Sequence, residues 1–146
     1  MKKKALIFSL LAMLGLVGVG GWYFISQNQT QAVKAEARKT FIQSSRPTIF
    51  FHGWGSSSRA ERHMANAAKD AGVTKTIIDA KVDKDGRVTL DGSIPKGAIN
   101  PIVLVNFDNN RGASTRDQGD YAYAVVKALQ DTYEITEMNM VGHSYG

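Results

Sequence analysis

The residues with the clearest chemical potential are Gly142-His143-Ser144-Tyr145-Gly146. A serine with glycine two places to either side fits G-x-S-x-G, the pattern of a sharp strand-to-helix turn that lifts a hydroxyl above the carboxyl edge of a sheet. The glycines have a steric cause: a serine in strained backbone geometry needs flanks without Cβ atoms that would collide with the adjacent strand and helix. A serine so placed suits nucleophilic acyl transfer. That chemistry needs two backbone N–H donors for the developing oxyanion, one after the nucleophile and one from an early strand-to-helix loop. The early loop is His52-Gly53-Trp54-Gly55, so the backbone amides of Trp54 and Tyr145 are the expected donors.

The elements around these residues must hold them at one sheet edge. Thr48 to Phe51 is a short β-branched and aromatic run that stops at His52-Gly53, as expected of a buried strand entering a loop. A helix should follow, with Ser58 and Glu61 as a capping box, Ala60, Met64, Ala67 and Ala71 as its apolar positions, and Gly72 as its left-handed end. Thr76 to Val82 reads as a second strand, and Asp85-Gly86 as the centre of a tight hairpin leading to Arg87–Leu90, an excursion from the sheet. Ile102 to Phe107 is almost wholly apolar, which suits a strand covered on both faces. Ser114 and Asp117 open another helix, with Ala122, Val125, Val126, Leu129 and Tyr133 as its stripe. Met138 to Val141 then leads into the serine turn. Alternating strands and helices of these lengths imply an α/β class fold with a mainly parallel sheet.

With both loops in such a context, the chain resembles the α/β-hydrolase superfamily, and more narrowly the cell-surface hydrolases of Gram-positive bacteria, whose substrates are mostly undefined. The motifs that carry the resemblance are Pro47-Thr48-Ile49-Phe50-Phe51-His52-Gly53-Trp54-Gly55, Asp83-Lys84-Asp85-Gly86-Arg87-Val88, Asn100-Pro101-Ile102 with Asn106-Phe107, and Val141 to Gly146. The resemblance implies that Ser144 is the nucleophile, that the Trp54 and Tyr145 amides form the oxyanion hole, and that His52 orders its loop. In that family the acid and the base histidine follow the serine in chain order, and nothing follows Gly146 here. The expectation is therefore the N-terminal half of an α/β-hydrolase fold, truncated just after the elbow, lacking two triad members and inactive alone. The alternative is a non-catalytic surface module, or the remnant of a disrupted gene, with an exposed sheet edge.

The three histidines give no convincing substitute base. His143 adjoins Ser144 and should point away from it, His52 belongs to the ordering loop, and His63 falls on a helix surface. Asp79, Asp83, Asp85 and Asp91 fail the register of a calcium loop, because Lys81 stands where the first aspartate is needed. Gly53-Trp54-Gly55-Ser56 lacks the Gly-Lys of a phosphate loop. Asp108 is read as a solvated loop carboxylate at a strand end. No metal or organic cofactor is expected; the expected substrate is a small-molecule ester or a lipid.

Charge sets the chain's surroundings. The 146 residues carry 18 basic and 13 acidic groups, a net +5. Lys2, Lys3, Lys4, Lys34, Arg38 and Lys39 against Glu36 account for all of it, and the rest is neutral, which excludes an electrostatic footprint for nucleic acid. The three lysines precede 21 uncharged residues, Ala5 to Ile25, ending in Trp22-Tyr23-Phe24. That is long enough to span a bilayer, with the aromatics at the interface and the lysines cytoplasmic. The expected organisation is a membrane anchor or signal segment over 1–26, a polar stalk over 27–45 and a partial hydrolase domain over 46–146. The protein is expected outside the cytoplasm, membrane-anchored, or secreted if cleavage occurs at Ala35-Glu36-Ala37. Without cysteine there is no disulfide framework and no thiol nucleophile.

Overall fold

The computed structural model describes residues 21–32, 36 and 41–146. Residues 21–32 form a helix, α1, with its side chains almost wholly exposed. Among the described residues no helix is long and apolar enough to cross a membrane. The expected anchor, Ala5 to Ile25, lies outside the described residues up to position 20. Ser44 is already tied to the folded part: its carbonyl accepts from the Asn100 N–H at 2.7 Å and its N–H donates to Asn100 Oδ1 at 3.0 Å.

From Thr48 onward the elements are β1 (Thr48–Phe51), α2 (Arg59–Asp70), β2 (Ile77–Val82), β3 (Val88–Asp91), β4 (Ile102–Phe107), α3 (Thr115–Tyr133) and β5 (Asn139–Gly142). They build one five-stranded sheet in the order β3-β2-β4-β1-β5. Only β2 and β3 pair antiparallel; β2–β4, β4–β1 and β1–β5 are parallel. The Asp85-Gly86 turn forms as expected, with Gly86 at φ +80° and Asp83 Oδ1 accepting from the Asp85 and Arg87 amides. Its second strand, however, is no excursion: β3 pairs residue for residue with β2 and forms the sheet edge.

The period-2 geometry of strands divides the core between two faces. On one, Ile49, Phe51, Ile78, Val103, Val105 and Phe107 pack with Tyr121, Val125 and Leu129 of α3. On the other, Ile102 and Leu104 pack against Ala65 of α2, with Phe50 and Ile77 partly buried. Ile102 to Val105 are all buried, as expected for a strand covered on both sides. Burying side chains of this size contributes about 1.5–3 kcal/mol each, so the α3 face holds most of the fold together.

Helix α2 corrects the sequence reading. Its buried residues are Glu61 and Ala65, whereas Ala60 and Ala67 are exposed and Met64 is half exposed. The capping box does not form, because Ser58 adopts a helical conformation and makes no side-chain cap bond. At the other end Gly72 (φ +80°) does close the helix: its N–H bonds Lys69 O at 3.0 Å and that of Val73 bonds Ala68 O at 2.9 Å, the Schellman pattern.

The capping box expected at α3 is present, with Ser114 and Asp117 bonded reciprocally. The Ser114 backbone N–H, then the Ser114 hydroxyl, then the Arg116 charge hold the Asp117 carboxyl below its ordinary 3.8. A carboxyl depressed on folding contributes stability that is present above its unfolded value and lost as pH falls through the folded one. The first turn of α3 is therefore expected to hold at neutral pH and to fray only below 3.8. Amide exchange at Ser114 and Asp117 during acid titration checks this; an Asp117→Asn variant should lose the transition.

From β1 the chain runs through α2 to β2 and leaves the slot that β4 later fills. From β4 it runs through α3, on the opposite face, past β1 to β5. Connections thus diverge around β1, and the crevice outside such a switch point is where open α/β sheets bind ligands.

Candidate active site

The carboxyl ends of β1, β4 and β5 meet at this crevice, and His52 ties two of them together. Its ring is 2% exposed. The Phe107 N–H donates to Nε2 at 3.0 Å, and Nδ1 lies 2.9 Å from the Gly53 carbonyl. Accepting at one nitrogen and donating at the other describes a neutral imidazole with its proton assigned to Nδ1. The ring also packs edge-on against Phe107, centroids 5.2 Å apart.

Beyond His52 the loop is laced to the segment after β4. The Gly55 N–H donates to Asn110 O at 2.7 Å, Asn110 Nδ2 donates to Ser56 O at 2.6 Å, and the Ser58 N–H donates to Asn106 Oδ1 at 3.3 Å. The Trp54 indole donates to Arg111 O at 3.3 Å, and the Arg111 guanidinium sits 5.7 Å over the ring. The cation–π contact and these bonds hold an exposed loop in one shape.

Ser144 stands on the turn after β5 with φ +59°, one of three non-glycine residues at positive φ among those described. Its flanks are sterically closed. A Cβ on Gly146 would come within 2.7 Å of the His52 carbonyl, and one on Gly142 would overlap the Gly146 carbonyl. Gly53 is the point of contact between the two loops: a Cβ there would lie 3.0 Å from His143 O and from Ser144 Cβ, and 3.4 Å from Ser144 Oγ. Among the described residues neither the Trp54 nor the Tyr145 backbone N–H donates to another group. The Tyr145 hydroxyl bonds Thr115 Oγ1 at the start of α3.

A family model for α/β hydrolases of unknown function, DUF915, matches residues 35–146. The chain belongs to that α/β-hydrolase family. Among solved structures, a Listeria innocua gene product is 26% identical with a TM-score of 0.65, covering 70% of this chain and 41% of its own. A "putative cell surface hydrolase" from Lactobacillus plantarum WCFS1 is 26% identical with a TM-score of 0.60, covering 69% and 42%. The chain thus spans about two fifths of the length of either. No curated protein matches it. The mixed sheet with helices on both faces is α/β-hydrolase-like, as the family requires.

In this α/β-hydrolase family member, none of the three histidines is placed as a base for Ser144. Both ring nitrogens of His52 are engaged. His63 is on the exposed side of α2. His143 turns its Nδ1 to within 3.4 Å of Glu61 Oε1. Asp108 pairs with Lys81 at 3.3 Å at the end of β4. Among the described residues no group of three or more His, Asp or Glu side chains could hold a metal.

A cavity of about 540 Å³ beside the elbow is lined by Phe51, Phe107, Ala122, Val126, Met140 and Tyr145, among others. Tyr145 borders it; Trp54 does not. Sequence reasoning missed Glu61, taken for a cap, and the loop ties from Asn106, Asn110 and Arg111. An asparagine inside an otherwise apolar strand was the available signal for Asn106.

Proposed function

We propose that this chain supplies the nucleophile and oxyanion hole of an extracytoplasmic serine hydrolase acting on carboxylic esters. The observation that carries the reading is Ser144 at φ +59°, packed on Gly53, with two uncommitted amides, Trp54 and Tyr145, on the loops that meet there. Ser144 Oγ would attack the ester carbonyl and the two N–H groups would receive the charge that develops on its oxygen. The apolar cavity beside Tyr145 suits the acyl or lipid part of such a substrate. The surface location given in the name of the Lactobacillus plantarum neighbour, together with Lys2 to Lys4 before Ala5 to Ile25, supports a membrane-anchored, extracytoplasmic site.

The reaction also needs a base to take the serine proton, and the described residues offer none in place. Fluorophosphonate labelling tests the assignment. The 146-residue chain should label only slowly, and a longer protein that adds a base histidine and its acid should label fast and stoichiometrically at Ser144. Labelling that survives Ser144→Ala, or a longer protein that stays unlabelled, overturns it. Rapid labelling of the 146-residue chain itself would instead show that a base is present within it.

A further inference from the structure

Glu61 is a buried carboxylate for which the proposed chemistry has no use. Its residue is 2% exposed, and Oε2 has no hydrogen-bond partner. Leaving a desolvated polar atom unpaired is unfavourable, more so when it is charged. The residue lies in the first turn of α2, where a glutamate ordinarily turns back to complete a capping box. Instead it faces the serine elbow, with Oε1 3.4 Å from His143 Nδ1. A local rule broken at such a cost marks a place where something other than helix stability is served.

His143 is the residue through which such a contact would act on the elbow. Its N–H donates to Phe51 O at 3.1 Å and its carbonyl accepts from the Gly146 N–H at 3.0 Å. These bonds close the turn on either side of Ser144, whose left-handed backbone is unfavourable for a side-chain-bearing residue. With these main-chain bonds and the Tyr145 hydroxyl's bond to Thr115, the strained turn sits at the end of a strand whose four residues are exposed. The side chain of His143 adds the link from this turn to α2.

We propose that Glu61 is the positioning residue of the elbow: through His143 it clamps the carboxyl end of β5 to the first turn of α2 and so sets where Ser144 Oγ stands against the Trp54 amide. From the proposed function this takes only that Ser144 is the reacting group. The test reads the backbone, so its failure is separate from a failure of serine chemistry.

Amide hydrogen exchange is followed by NMR on the 146-residue chain. Glu61→Ala is expected to speed exchange at His143 and Gly146 by about 10-fold or more, while Ala80 and Val105 in the central sheet change by less than about twofold. Glu61→Gln, which keeps an oxygen facing the imidazole, should recover most of the protection. His143→Ala should match Glu61→Ala, and the double variant should be no worse than either single one, because one contact is lost in each case. Equal acceleration throughout the sheet, no acceleration at the elbow, a glutamine variant no better than alanine, or additive effects would each overturn the proposal. If Glu61→Ala does not fold, the glutamine variant, His143→Ala and their double variant carry the same comparison.

Discussion

Replacing His52 by alanine is expected to destabilise the fold by about 3–5 kcal/mol, the sum of a cavity and a stranded backbone donor. The ring fills a site that is 2% exposed and packs on Phe107. Its Nε2 is also the acceptor for the Phe107 N–H, which without it would be a buried donor with nothing to donate to. Domains of this kind are stable by only about 5–15 kcal/mol, so the loss is a large share of the total. His52→Phe separates the two contributions. It keeps an aromatic ring against Phe107 and still strands the N–H, so its loss should be about 1–3 kcal/mol. Urea denaturation measures both, and an alanine variant within about 1 kcal/mol of the parent would show that the ring does not join β1 to β4.

The second large effect is expected at Gly53, and it falls on position more than on stability. A Cβ there already meets His143 O and Ser144 Cβ at 3.0 Å, and the branched side chain of valine adds two more methyl groups to the same space. Overpacking of this kind costs about 1–3 kcal/mol. The atoms it strikes belong to the elbow, whose strand is exposed, so the turn should yield before the core does. Moving a reacting group by about 1 Å lowers a rate on the order of 10²-fold. Gly53→Val should therefore cut the labelling rate of Ser144, in the longer protein that labels fast, far more than its stability loss explains. Gly53→Ala should fall between. A valine variant that labels at the parental rate would mean that the two loops do not meet as described.

Much of the local structure was legible in the chain. The apolar run Ile102 to Phe107 is a doubly covered strand because its composition leaves no wet side. Asp85-Gly86 makes the hairpin because glycine tolerates the positive φ of that turn. Ser114 and Asp117 cap α3 because both partners lie within one turn of each other, so nothing distant can intervene. The reading of α2 failed for the complementary reason. Ala60, Ala65, Ala67, Ala68 and Ala71 are spread around that helix, so alanine marks no single face. One of the two residues that mark the buried face is a glutamate, whose partner is on the turn after β5. A capping-box pattern at the start of a helix is a local statement, and here a distant contact overrides it.

The same division runs through the candidate site. Residue types and spacing alone determined that a serine turn and a His-Gly loop close two strands of a parallel sheet, because both patterns follow from the steric needs of tight turns and are written in consecutive residues. Tertiary structure alone decided that β4 inserts between β2 and β1, that His52 uses both nitrogens to hold Phe107 and Gly53, and that Gly53 rests on Ser144. It also turned Glu61 from a helix cap into the buried partner of His143. Those facts are pairings between residues far apart in the chain, and such pairings are selected by how the faces of the sheet are buried, which no short stretch of sequence specifies.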